Sequence, residues 1–460
     1  MKRSAKEKKN TTLVYRLLGV YLLLGFWSLI LVGRLIQLQL YKSPEYRSQA
    51  ERQQIGFIEL SPQRGDILDR YLDELAISVR MNSVYAHPGD EVWETVSPLL
   101  TARALAEVLE QDEHALYERL VSDRAFVYLA RKIPPRQAEQ IRKLHLAGIS
   151  LQEETKRFYP GGDLAAHVLG FTGLDNEGLA GLEYLYNDSI KGKKSRVNII
   201  FDGKRDRIES DDRSGHSNGN TMVLNIDSAI QFISEQVLKE TVVLSEAANG
   251  SAVVMDPHTG EILAMASYPV FNPNRYADYD PEDRRNRAIL DIIEPGSTFK
   301  MVTFSAVLNE RLASPSEIID CGVDTLRVAG RRYREAVGTF GFLTFNEVLA
   351  KSSNIGTIKL GLRLGDETLF QYIRDFGFGE KTGIDLPGEE VGLLRPPSQW
   401  SKVSIGALSI GQEIGVTPLQ SVTAMSAIAN GGYLVTPNVV RHMLSPDGDV
   451  VYQPEISREL

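Results

Sequence analysis

Four side chains on two short stretches carry the chemistry in this sequence. The first stretch is Glu294-Pro295-Gly296-Ser297-Thr298-Phe299-Lys300. Pro295 and Gly296 break the chain and an apolar-rich run from Phe299 to Leu308 follows, so it reads as a turn entering a helix. Residues three apart share a helix face, which stands Ser297 beside Lys300. The helix N-terminus adds partial positive charge and free N–H groups. A serine beside an amine becomes a nucleophile when the amine is neutral or passes its proton on, and burial near other cations drives a lysine that way. The second stretch is Ser352-Ser353-Asn354, at a break between two helices: one opened by a Thr344–Glu347 capping box, the other apolar from Ile355 to Leu364. Here the Ser352 hydroxyl is suited to relay a proton between a lysine and a leaving nitrogen. The Asn354 amide is suited either to bond a substrate peptide group or to hold the lysine. Ser-x-x-Lys alone arises about once or twice by chance in a chain of this size, and Ser and Asn are ordinary cap residues. The two motifs in this order are far less accidental.

The chain that must position them has 460 residues, 43% hydrophobic and 24% charged, enough for about three domains with a large core. Its formal net charge of -9 argues against a nucleic-acid partner. Cys321 is the only cysteine, which rules out an intramolecular disulfide, and the seven histidines show no zinc-ligand spacing. No phosphate-binding glycine loop occurs either, so neither a metal nor a cofactor is expected.

Residues 1–12 form a basic tail, and Leu17 to Gly33 runs without a charge. That run alone covers about 25 Å as a helix. With Leu13 to Tyr15 and snorkelling Arg16 and Arg34, it predicts a membrane anchor over 13–40. No small-residue cleavage site follows, which favours an uncleaved anchor over a signal peptide. The positive-inside rule then puts the tail in the cytoplasm and the bulk of the chain outside.

Residues 35–59 read as an amphipathic helix followed by an extended piece, and 67–71 and 75–79 as short strands joined by a polar turn. Residues 99–121 and 135–146 read as amphipathic helices. Arg64, Asp69, Arg70 and Glu183 read as structural ion pairs rather than a site. The polar stretch 202–220 predicts a linker. Asp227 caps a helix to about Ser245, and 251–255 and 261–267 flank a turn as a β-hairpin. A hairpin packed on helices predicts an α+β architecture. Thr417 and Gln420 box a helix over 418–430, and a second hairpin with a Pro-Asp-Gly-Asp turn follows.

Six stretches together resemble the penicillin-interacting serine transferases, and within them the class B penicillin-binding proteins: RGDILDR at 64–70, AAHVLGF at 165–171, RNRAILDIIEPGSTFK at 285–300, KSSNIGT at 351–357, FGFGEKTGIDLPGE at 376–389 and SIGQEIGVTPLQ at 409–420. The resemblance covers nearly the whole chain. Leu72 departs from it where a turn glycine is frequent, and Ile293 where an aromatic is common.

The resemblance implies an α+β chain with a single transmembrane helix and an extended mixed pedestal of dimerisation type over 41–215. A serine transpeptidase/β-lactamase-like domain would follow over 221–460, an antiparallel sheet with helices on both sides. Ser297 is then the acylated nucleophile and Lys300 its general base; Ser352 passes the proton onward and Asn354 helps place the substrate amide. The implied substrate is a peptidoglycan stem peptide ending in D-Ala-D-Ala, with β-lactams acylating the same serine. Implied partners are the membrane, a polytopic glycosyltransferase and proteins of the division or elongation complex.

The family's third motif, Lys-Thr/Ser-Gly on an edge strand, is expected after the 418–430 helix. Lys381-Thr382-Gly383 lies instead in a loop-like segment. The chain stops at Leu460, so the resemblance implies an incomplete transpeptidase domain lacking one oxyanion-hole donor. Loss of one such donor costs about 3–4 kcal/mol of barrier. A catalytically impaired scaffold of the wall-synthesis complex is therefore the alternative. A β-lactamase or β-lactam sensor fits less well, because nothing marks a water-activating base and one span is visible.

Overall fold

In the computed structural model, which describes residues 3–46, 55–60, 62–193, 195–201, 207–210, 218–455 and 457–460, the N-terminal run is one helix, α1 (Arg3–Ile36). A π-turn, Gln37–Tyr41, extends it. Its segment Tyr15–Tyr41 has a mean hydropathy of 1.9 and is, among the described residues, the one helix long and apolar enough to cross a membrane. Large apolar side chains such as Leu22, Phe26 and Leu29 are exposed along it. Part of the helix and extended piece expected over 35–59 falls on residues 47–54, outside the described residues. Beyond it, Ile55–Leu60 pairs antiparallel with Ser195–Phe201, which in turn pairs with Arg207–Ser210. The polar stretch expected to be a linker thus contributes a strand at 207–210, while 202–206 and 211–217 lie outside the described residues. These segments form one compact unit, 1–60 with 194–216.

The other unit joins residues 61–193 to 217–460. Its first part contains strands β1 (Ile67–Leu68), β2 (Glu74–Ala86), β3 (Val127–Ile133) and β4 (Ile149–Phe158), with helices α2 (Pro98–Leu109), α3 (Glu113–Leu120) and α4 (Pro135–Lys143). The helix expected over 99–121 is therefore two. Glu110 turns left-handed at φ 53° to end α2, and the Asp112 side chain caps α3. Leu72, where a turn glycine is frequent, has φ 72°, so the turn keeps its left-handed shape without glycine.

The second part contains β5 (Thr221–Leu224), α5 (Ser228–Leu244), the hairpin β6 (Gly250–Met255) and β7 (Ile262–Tyr268), and the late hairpin β8 (Val440–Leu444) and β9 (Val450–Tyr452). Asp227 caps α5 through the N–H groups of Ala229 and Ile230. One sheet runs in the order β9-β8-β5-β1-β2-β3, with β4 also on β2, so strands from both parts share it. All its pairs are antiparallel except β1–β5. The expected antiparallel sheet is thus a mixed one. The two parallel strands come from distant parts of the chain, joined by a long crossover that no hairpin could replace. The β6–β7 hairpin forms a separate two-stranded sheet against which α5 packs.

Two cores matter for the site. One, with Ile67, Leu75, Met222, Leu224, Met265, Leu419 and Val440, seals the two parts together. The other, with Phe299, Val302, Phe304, Phe345, Val348 and Leu360, underlies both chemical stretches. The four charged residues read as structural behave so. Glu183, fully buried, receives Arg64 Nε at 2.5 Å, Arg157 Nε at 2.6 Å and the Tyr159 hydroxyl at 3.2 Å. Asp69 accepts the N–H groups of Tyr71, Asp73 and Ser228, and Arg70 pairs with Glu261.

Candidate active site

Ser297 does not open an α-helix directly. It lies on a 3-10 turn, Gly296–Phe299, and the helix α6 (Lys300–Asn309) starts immediately after. The Lys300 N–H donates to the Ser297 carbonyl. Positions three apart lie on one face of such a turn, so Ser297 and Lys300 share a face. Gly296 gives the turn its φ of 54° and donates its N–H to the Gly411 carbonyl at 3.0 Å. Gly411 itself has φ 74°, and a Cβ there would lie 2.2 Å from the Gly296 carbonyl oxygen. The 409–420 stretch therefore backs the serine turn at van der Waals contact. Ser297 is exposed, whereas Lys300 is only 1% exposed.

The Lys300 amine donates to three acceptors, all on the second stretch: the Ser352 carbonyl at 2.6 Å, the Ser352 hydroxyl at 3.0 Å and Asn354 Oδ1 at 2.8 Å. Burial pushes its pKa down to about 8, against the Glu335 carboxylate, which pushes it up. At pH 7 about a tenth of the lysine is then a free amine with a lone pair to offer. Ser352 bridges the helix Phe345–Ala350 and α7 (Asn354–Leu364) with a left-handed φ of 54°, which is uncommon for a residue bearing a Cβ. That conformation leaves both its oxygens on Lys300.

The structure thus gathers Lys300, Ser352 and Asn354 into one hydrogen-bonded group and ties Ser297 to it through the turn. For Asn354 the contact made is the one to the lysine. Its Nδ2 donates to the Arg334 carbonyl at 3.0 Å. Lys381 lies in an exposed loop, where the Glu389 carboxylate takes the Thr382 hydroxyl at 2.6 Å and its N–H at 2.7 Å. Sequence reasoning missed Glu335. It accepts from the Ser353 hydroxyl and from two N–H groups at the start of α7. No local pattern marks it, because its partners lie 18 to 20 residues further on, beyond a loop and the helix Phe345–Ala350.

The geometry sets a Ser-x-x-Lys turn and a Ser-x-Asn helix break around one buried amine. Models of the penicillin binding protein transpeptidase domain and of the penicillin-binding protein dimerisation domain match residues 250–458 and 59–224. The stage V sporulation protein D of Bacillus subtilis is 37% identical over 95% of this chain and 68% of its own length. The peptidoglycan D,D-transpeptidase FtsI of Escherichia coli is 32% identical over 93% of this chain and 73% of its own. The crystal structure of penicillin binding protein 3 from Mycobacterium tuberculosis complexed with aztreonam superposes with a TM-score of 0.64 at 29% identity, covering 87% of this chain and 71% of that one. The chain belongs to the class B penicillin-binding proteins.

Proposed function

We propose that this chain crosslinks peptidoglycan as a D,D-transpeptidase through an acyl-enzyme on Ser297. The observation that carries the reading is the buried Lys300 amine held 3.0 Å from the Ser352 hydroxyl and one 3-10 turn from Ser297. Lys300, as the free amine, takes the Ser297 proton while Oγ attacks the carbonyl of the penultimate D-Ala. The proton passes from Nζ through the Ser352 hydroxyl to the nitrogen of the departing D-Ala. An amine from a neighbouring stem then attacks the ester, and the proton it sheds returns along the same path to Ser297. Asn354 holds Lys300 and offers its amide edge to the substrate peptide. A β-lactam acylates the same oxygen, but its leaving nitrogen stays tethered, so the ester persists. The relatives' D,D-transpeptidase names and a family structure holding aztreonam support this reading.

In this reading residues 1–12 are cytoplasmic, 13–40 anchor the chain, 41–215 form the pedestal and 221–460 the transpeptidase domain. The bulk lies outside the membrane, with a polytopic glycosyltransferase of the division or elongation complex as partner. The test is D-Ala release from a D-Ala-D-Ala-terminated stem pentapeptide in the presence of an acceptor amine. The full chain releases D-Ala and a Ser297→Ala chain does not. The alternative is a catalytically impaired scaffold of the wall-synthesis complex. Release no faster than that of Ser297→Ala would install it instead.

A further inference from the structure

The Ser352–Asn354 stretch is held from behind by a residue outside both motifs. The Glu335 carboxylate accepts the Ser353 hydroxyl at 2.6 Å, the Asn354 N–H at 2.6 Å and the Ile355 N–H at 3.3 Å. The two N–H groups are among the orphan donors of the eleven-residue α7, the positive end of its dipole. The Ser353 hydroxyl is used twice, since it also accepts the Gly356 N–H at 3.0 Å as the helix cap. One residue earlier, the Arg334 carbonyl takes Asn354 Nδ2, which leaves Asn354 Oδ1 facing Lys300. Residues 334 and 335 thus fix the loop on one side and Lys300 takes it on the other.

We propose that Glu335 is a positioning residue for acyl transfer: its carboxylate pins the start of α7 so that Ser352 and Asn354 converge on Lys300. The proposal rests on the acyl-transfer reading of Ser297, Lys300 and Ser352. A charged acceptor suits the task because charge-assisted bonds to N–H and hydroxyl groups are shorter and stronger than neutral ones. The three bonds fall on the residues that directly follow Ser352, and so fix the chain beside its left-handed backbone. Glu335 has no ion-pair partner among the described residues, so its charge is directed at α7 and Lys300. The other charges nearby are spent or exposed: Lys359 and Asp320 pair at 3.5 Å, and Arg334 and Lys351 are exposed. The Cys321 thiol is kept neutral by burial.

The experiment compares the full chain in detergent with Glu335→Gln and Glu335→Asp. One readout is the rate of penicillin acylation against pH. The other is the titration of Lys300, followed by the carbon-13 shift of its Cε in lysine-labelled protein and assigned with Lys300→Arg. Glu335→Gln keeps the shape and loses the charge. Acylation slows by about ten- to a hundredfold, and the Lys300 midpoint falls from about 8 by about one pH unit. Glu335→Asp keeps the charge, holds the midpoint near the parent's and recovers part of the rate. A merely structural glutamate would lower melting temperature and folded yield while leaving the acylation rate of the folded fraction in place, and that result would overturn the proposal. Absence of acylation in the parent chain would sink the acyl-transfer reading, whereas the Lys300 titration would still decide for or against Glu335.

Discussion

In the proposed mechanism Lys300 is the residue on which the chemistry turns. Its side chain is removed from water, yet all three hydrogen-bond partners are neutral, and burial outweighs the more distant Glu335 charge. The consequence for pH follows directly. In the proposed mechanism the free amine accepts the Ser297 proton, so the rate of acylation by a β-lactam is expected to climb as pH rises through about 8 and to level off above it. Stability shifts the same way. Below about 8 the folded chain carries a buried ammonium that the unfolded chain keeps in water. That penalty is relieved as pH rises from about 8 towards the ordinary lysine value of 10.5. Acylation rates measured from pH 6 to 10 check this, and a flat profile would mean that Lys300 is not the base. The shared face of Ser297 and Lys300 was legible in the sequence because a three-residue spacing is a local fact. Glu335 was not, since its role exists only after two distant segments meet.

Among the elements, caps and breaks were the most readable. The Thr344–Glu347 and Thr417–Gln420 capping boxes and the Asp227 cap all stand where the residue types put them. The 3-10 turn at Ser297 and the split of α2 from α3 were not read. Each depends on one or two backbone angles that many residues tolerate. The parallel β1–β5 pair was hidden for another reason: pairing across a long crossover leaves no trace in either strand's own pattern. The element joint with the most at stake is Glu183, which neutralises two buried arginines, Arg64 and Arg157. Glu183→Ala would strand Arg64 and Arg157 without a counter-charge. Breaking a buried pair this way costs about 3–5 kcal/mol. Thermal or denaturant melts are expected to show that loss, and a change under about 1 kcal/mol would mean the network is solvated rather than buried.

At the scale of the whole molecule, the chain combines a membrane-length apolar helix with a unit in which the pedestal and transpeptidase regions share one sheet and one core. The apolar N-terminal helix was the easiest element to read, because its uncharged run is long and unbroken. The shared sheet was the hardest, because the polar stretch between the two regions looks like an ordinary boundary. Placing β1 against β5 lets the first region hold the second from its N-terminal strand onward. In the proposed mechanism, fixing α6 against α7 keeps Lys300 and Ser352 within proton-transfer reach.

The most direct test is peptide mapping by mass spectrometry after incubating the full chain with benzylpenicillin. One penicilloyl group on the peptide containing Ser297, absent from a Ser297→Ala chain, is the predicted result. An adduct on another residue, or one that survives in Ser297→Ala, would contradict the assignment of Ser297 as the nucleophile.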